Sequence, residues 1–224
     1  MFDDLTTTYD AGRPERPLVI AYYTVDTPYQ HEAESLKVSL EAVGYSYDIR
    51  GVPNQGSWQK NTQLKAQFVD HMLAAYPGKP LLYLDVDAIM IKPPLALDTL
   101  PTQGADIAAV HFLTKPGQLG TELLSGTVWF GNTKPCRRVV QKWLHINAQY
   151  PEVLPGGRKA WDQRTLEMAI KSVASCTFVE LPQELTYVAE LTTKRAPHLN
   201  PVILHTRGAK RFKHIMDHQP GYAK

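Results

Sequence analysis

Apolar residues along this chain come either as short unbroken runs or at helical spacing, and the two patterns take turns. Leu18–Val25 (Leu-Val-Ile-Ala-Tyr-Tyr-Thr-Val) is an unbroken run that predicts a strand, closed by Asp26, Thr27 and Pro28. Over 31–43, Ala33, Leu36, Leu40 and Val43 share one helical face, and Gly44 suits the helix end. Residues 45–50 read as a second strand, which makes the opening β-α-β. Gly51–Trp58 is rich in turn formers, and a helix is predicted over 59–75 with Leu64, Phe68, Met72 and Ala75 inward. Pro77, Gly78 and Pro80 stop that helix. Further strands are predicted over 106–112, 123–131, 177–181 and 202–205, and helices over 135–149 and 161–173. Residues 1–17 are polar, with Pro14 and Pro17, and predict a loose lead-in; residues 213–224 read as a basic tail. The expectation is one α/β domain over 18–212, with a Rossmann-like, mixed and mostly parallel sheet flanked by helices.

The chemistry centres on residues 81–91, Leu-Leu-Tyr-Leu-Asp-Val-Asp-Ala-Ile-Met-Ile. Four apolar residues run into Asp85 and Asp87, as expected for a strand buried on both faces that ends at two acids. Carboxylates there are costly unless paired, and a hard divalent cation, Mg²⁺ or Mn²⁺, is a usual partner for oxygen ligands. A surface acid pair in a strand-to-loop turn accounts for the same letters. In open α/β sheets ligands collect at the C-terminal ends of the strands, where these acids fall. Ser125-Gly126 interrupts another apolar run, and glycine inside a strand often marks a close approach by a ligand or backbone.

Charge adds one asymmetry. Residues 194–224 carry seven Lys/Arg against the single acid Asp217, a net +6, which leaves −4 for the rest of the chain. A basic C-terminal segment suggests an anionic partner such as a diphosphate, a nucleic acid or a membrane surface, and a solvated tail explains it equally. Cys136 and Cys176 make neither a disulfide framework nor a zinc site. No apolar run reaches membrane-spanning length and no signal-peptide pattern opens the chain, so a soluble, cytoplasmic protein is expected.

Five stretches in order, Tyr22-Tyr23-Thr24 with Asp26, Gly56-Ser57-Trp58 with Lys65, Asp85-Val86-Asp87, Ser125-Gly126-Thr127 with Asp162-Gln163, and His205 to Lys210, give the chain its resemblance to GT-A-fold nucleotide-diphospho-sugar transferases. It is most similar to glycogenin-like enzymes and their small bacterial and viral relatives. Such chains usually end His-x-x-Gly-x-x-Lys-Pro-Trp. Here Lys210 comes one place early, Arg211 takes the Lys place, and Pro-Trp is absent.

The resemblance implies a glycosyltransferase that uses a nucleotide-diphosphate sugar, most simply a UDP-sugar, with Mn²⁺ or Mg²⁺. Asp85, Asp87 and His205 would hold the ion. Tyr22, Thr24 and Asp26 would border the nucleoside, with Asp85, Ser125, Gly126 and Gly208 also at the donor, and Lys65, Lys210 and Arg211 at the phosphates. Asp162 would stand near the reacting carbon, as base or as stabiliser, and Gln163 would bond sugar hydroxyls. Plain structural roles compete at several positions: a core histidine at 205, a solvated helix lysine at 65, a core tyrosine at 22 and a helix N-terminal acid at 162. Trp58, Trp129 and Trp161 could each offer a sugar an apolar face or pack in the core.

The acceptor expected is a glycan or small molecule, or, from the basic segment around His205, hydroxymethylated pyrimidine in DNA. Two other classes fit parts of the pattern. A haloacid-dehalogenase-type phosphohydrolase uses Asp-x-Asp after an apolar strand, yet no downstream Asp-Asp or Gly-Asp-x-x-x-Asp supplies its Mg²⁺ ligands. A non-catalytic module that only binds the nucleotide sugar is the other.

Overall fold

The computed structural model describes residues 2–115, 118–189, 192, 194, 196 and 198–206 of the 224. The strands are β1 (Leu5–Tyr9), β2 (Leu18–Thr24), β3 (Tyr47–Val52), β4 (Leu81–Leu84), β5 (Ala88–Met90), β6 (Ile107–Lys115), β7 (Gln118–Phe130), β8 (Phe178–Glu180), β9 (Tyr187–Val188) and β10 (Ile203–His205). The helices are α1 (Tyr29–Ala42), α2 (Trp58–Ala75), α3 (Lys134–Gln149) and α4 (Asp162–Lys171). Among the described residues, seven strands form one sheet in the order β1-β3-β2-β4-β7-β6-β8, and β5, β10 and β9 form a second, smaller one.

The alternation along the central strands shows why the sheet is covered on both sides. Ile20 and Tyr22 of β2, Leu81 and Tyr83 of β4 and Ile107 and Ala109 of β6 face α2, α3 and α4, whose Phe68, Met72, Val139, Trp143 and Leu166 complete that core. Val19 and Ala21, Leu82 and Leu84, and Ala108 and Val110 face the other way, toward Leu36 and Leu40 of α1 and Ala88, Met90 and Ile203 of the small sheet. Burial on both faces is what the unbroken apolar runs require. The helices start where their sequences allow. Ser57 Oγ accepts from Lys60 N at 3.2 Å to cap α2, and Thr133 Oγ1 accepts from Cys136 N at 3.2 Å to cap α3.

The sheet is mixed, as expected, but its pairings divide evenly. β2 pairs with β3 and β4, and β6 with β8, in parallel, whereas β1–β3, β4–β7 and β6–β7 are antiparallel. One further reading is corrected. Residues 1–17 are no loose lead-in, because β1 adds an edge strand to β3. Arg50 of β3 secures that segment. It makes a bidentate pair with buried Asp48 (2.8 and 2.7 Å), donates to the Phe2 carbonyl at 3.2 Å and pairs with Asp3. The strand that opens the run 81–91 ends at the two acids, as expected. Asp85 N still donates to Gly126 O at 2.8 Å, then Ala88 N closes a turn on Asp85 O at 2.9 Å, and β5 leaves for the second sheet. The two acids therefore stand at the crossing between two sheets.

Candidate active site

β10 runs antiparallel to β5 with His205 opposite Ala88, which sets the imidazole beside Asp87. One ligand atom each from Asp85, Asp87 and His205 lies within 4.8 Å of the others. His205 Nδ1 is 3.5 Å from Asp87 Oδ1, and its Nε2 is 2.8 Å from Thr127 Oγ1 on β7. In the tautomer that carries its proton on Nε2, the ring donates to the threonine hydroxyl and Nδ1 presents its lone pair to the carboxylates. Two anionic oxygens and one imidazole nitrogen, with the ring oriented from behind, form a donor set that fits Mn²⁺ or Mg²⁺.

The backbone beneath is shaped for this cluster. A Cβ built on Gly126 would come within 2.9 Å of His205 Cε1, 3.1 Å of Nδ1 and 3.2 Å of Asp85 Oδ2. Glycine lets β7 pass under both side chains without a clash, and this accounts for the break in its apolar run. Gly126→Ala is expected to displace the imidazole and weaken Mn²⁺ binding by about 10–100-fold, the range seen when groups supporting a ligand are disturbed. Titration calorimetry with Mn²⁺ reads this directly, and unchanged affinity would show that the ring does not ligate.

Behind the acids is a buried ionic knot. Lys65 of α2 is 3% exposed and reaches Asp162 Oδ2 at 2.6 Å, Asp85 Oδ1 at 3.0 Å and Ser125 O at 3.1 Å. Its ammonium lies 4.7 Å above the Tyr83 ring. Ser125 Oγ donates to Asp162 Oδ2 at 2.6 Å, and Tyr83 OH donates to Asp85 Oδ1 at 3.0 Å. Burial pulls the Lys65 ammonium's affinity for its proton down, yet Asp162 and Asp85 outweigh it and the lysine sits above its usual range. Desolvation pushes the Asp85 carboxyl up; Lys65 opposes this, and the Asp87 and Asp162 charges add to it. Crowded negative charge of this kind is what a divalent cation relieves.

These groups open onto a cleft of about 190 Å³, also lined by Tyr22, Thr24, Trp58, Asn61 and Gln163. Tyr22 and Thr24 line this cleft, and Tyr22 is also core: its OH donates to Asn61 O at 2.7 Å and its ring packs on Phe68. Asp26 does not line the cleft. It is exposed in the turn after β2, with φ 58°. Lys65, expected at the phosphates, directs its ammonium to Asp85, Asp162 and Ser125. Trp129 is 2% exposed in the core, which removes it as a sugar platform, whereas Trp58 and Trp161 meet edge to face near the cleft. Gly208, Lys210 and Arg211, and the tail 213–224, lie outside the described residues.

Residues that sequence reasoning passed over include Tyr83, Asn61 and Thr127 in its orienting role. Tyr83 was legible, since strand period puts residue 83 on the same side as 85.

No family model matches the sequence, and no curated protein sequence matches it significantly. Solved structures do match the fold. A glycosyltransferase involved in glycosylation of the major capsid of PBCV-1 superposes with a TM-score of 0.64 at 12% identity, over 89% of this chain and 98% of that one. The glycosyltransferase GlyE of Streptococcus pneumoniae TIGR4 gives 0.58 at 16% identity, over 85% of this chain and 55% of that one. The galactosyltransferase LgtC, solved with donor and acceptor sugar analogs, gives 0.55 at 13% identity, over 88% and 94%. The chain has the GT-A fold of these proteins.

Proposed function

We propose that this GT-A chain is a metal-dependent glycosyltransferase that moves a sugar from a nucleotide diphosphate to an acceptor hydroxyl. The observation that carries the reading is the convergence of Asp85, Asp87 and His205 within 4.8 Å at one end of a cleft that Lys65 and Asp162 also line. A bound Mn²⁺ or Mg²⁺ supplies Lewis-acid stabilisation of the charge that develops on a departing diphosphate. Asp85 and Asp87 would hold it through oxygen, and His205 through Nδ1, with Thr127 fixing the ring. Tyr22 and Thr24 border the nucleoside. Asp162 already carries the Lys65 ammonium and the Ser125 hydroxyl on Oδ2. That arrangement suits it to orient the donor sugar through its other oxygen beside the reacting carbon, and Gln163 adds an amide for sugar hydroxyls.

A UDP-sugar is the first donor to try, and a glycan or small molecule the first acceptor. The basic segment that motivated hydroxymethylated DNA lies mostly outside the described residues, so that acceptor rests on charge alone. Residence in the cytoplasm remains part of the proposal; among the described residues no helix is long and apolar enough to cross a membrane.

The test is a melting-temperature panel of UDP-, GDP- and ADP-sugars with and without Mn²⁺. A ligand held at a hundredfold over its Kd stabilises by about 2.7 kcal/mol, or about 5–10 °C for a chain of this size. The shift is expected with one nucleotide and only with the ion. A panel without any shift would count against the reading, and a shift without turnover would favour a binding module.

A further inference from the structure

Of the described residues that line the cleft, Trp58 alone is exposed, at 38%. Its indole is braced from one side. The Trp161 ring meets it at 5.9 Å and 88°, and the Arg164 guanidinium caps Trp161 at 4.4 Å. Arg164 is in turn fixed by Glu122 at 3.0 Å and by the Lys159 carbonyl at 3.1 Å. The chain segments are tied together as well. Gln59 Nε2 donates to the carbonyls of Pro151 and Glu152, each at 2.9 Å, and Gln63 Nε2 donates to Ala160 O at 2.9 Å. A large exposed aromatic braced by Trp161, itself capped by Arg164, is a preorganised contact surface, with little entropy left to lose on binding.

Resting on the glycosyltransferase reading, we infer that Trp58 is the acceptor platform and that the acceptor is a carbohydrate stacked on it through the C–H face of a pyranose ring. The electron-rich indole face attracts the weakly positive C–H groups of such a ring, and no charge is needed. The end of the cleft with Asp85, Asp87 and buried Lys65 answers to the diphosphate of the donor. The molecule that enters from solvent meets Trp58, and Asp162 follows directly on the Trp161 that supports it. Trp161 and Arg164 are positioning residues in this scheme.

The experiment screens the full-length protein on an array of neutral and anionic oligosaccharides with UDP, GDP and Mn²⁺ present. Hydroxymethylated duplex DNA is run beside it, and each hit is titrated by tryptophan fluorescence. Wild type is expected to bind at least one saccharide with a change in emission. Trp58→Ala should weaken that binding tenfold or more, with Trp58→Tyr restoring most of it, while nucleotide affinity moves less than twofold. Arg164→Ala should give a smaller loss that Arg164→Lys partly restores. Three results would overturn the inference: no saccharide bound by wild type, saccharide binding indifferent to Trp58→Ala, or DNA as the ligand lost in Trp58→Ala. If the nucleotide–Mn²⁺ interaction holds and saccharide binding ignores Trp58→Ala, only this inference fails. Absent nucleotide binding would instead remove the reading it rests on.

Discussion

Asp87→Ala should lower metal-dependent sugar transfer by about 10³-fold and leave the fold intact. The size follows from what a Lewis-acid ion contributes, several kcal/mol, at about 1.4 kcal/mol per factor of ten. The fold is expected to survive because the carbonyl of residue 87 accepts from Thr206 N at 3.0 Å, and alanine keeps that bond. Removing the carboxylate also takes away one of the charges that push Asp85 up. Turnover with a saturating donor across a Mn²⁺ series, with circular dichroism alongside, checks both halves. Full activity of Asp87→Ala in the presence of a chelator would remove the ion from the mechanism.

Lys65→Met is the change with the largest expected cost in stability. It leaves Asp162, whose side chain is 7% exposed, and Asp85 without the ammonium that sits 2.6 and 3.0 Å from them. Breaking a buried pair from one side costs about 3–5 kcal/mol, because the other charge stays buried and uncompensated. For a chain of this length that corresponds to a melting temperature lower by about 6–20 °C. Asp162→Asn in the Lys65→Met background is expected to recover part of the loss, since it removes the stranded charge. Calorimetric melting of the two variants decides. A Lys65→Met protein within about 1 kcal/mol of wild type would mean that Lys65 does not hold the two acids.

Much of the architecture was legible wherever burial writes a period into the chain. β2 and β4 are covered on both faces, so their runs are unbroken, and α2 bears its core side chains at helical spacing. β1 was invisible for the opposite reason. All five residues of Leu-Thr-Thr-Thr-Tyr are exposed, and the strand is held by its ladder to β3 and by Arg50 rather than by an apolar face. The end of β4 at the two acids was legible, but nothing in the apolar run that follows marks β5 as part of a second sheet. At the site, the acids and the odd glycine in β7 were readable, because each is costly in a strand unless something nearby explains it. The Lys65–Asp162 pair was not. It joins residues 97 positions apart on two helices, and nothing in the local spacing of either marks the other. Asp26 was carried by the resemblance alone and falls outside the cleft lining.

The most direct measurement of metal-dependent glycosyl transfer is release of labelled sugar from UDP-glucose, UDP-galactose and the corresponding GDP-sugars. The purified chain is assayed with Mn²⁺, with EDTA, and with EDTA followed by excess Mn²⁺. The expected result is release or transfer from one donor that stops with EDTA, returns with Mn²⁺ and is absent in Asp87→Ala. Release indifferent to EDTA, or hydrolysis of a simple aryl phosphate in place of any nucleotide sugar, would contradict it.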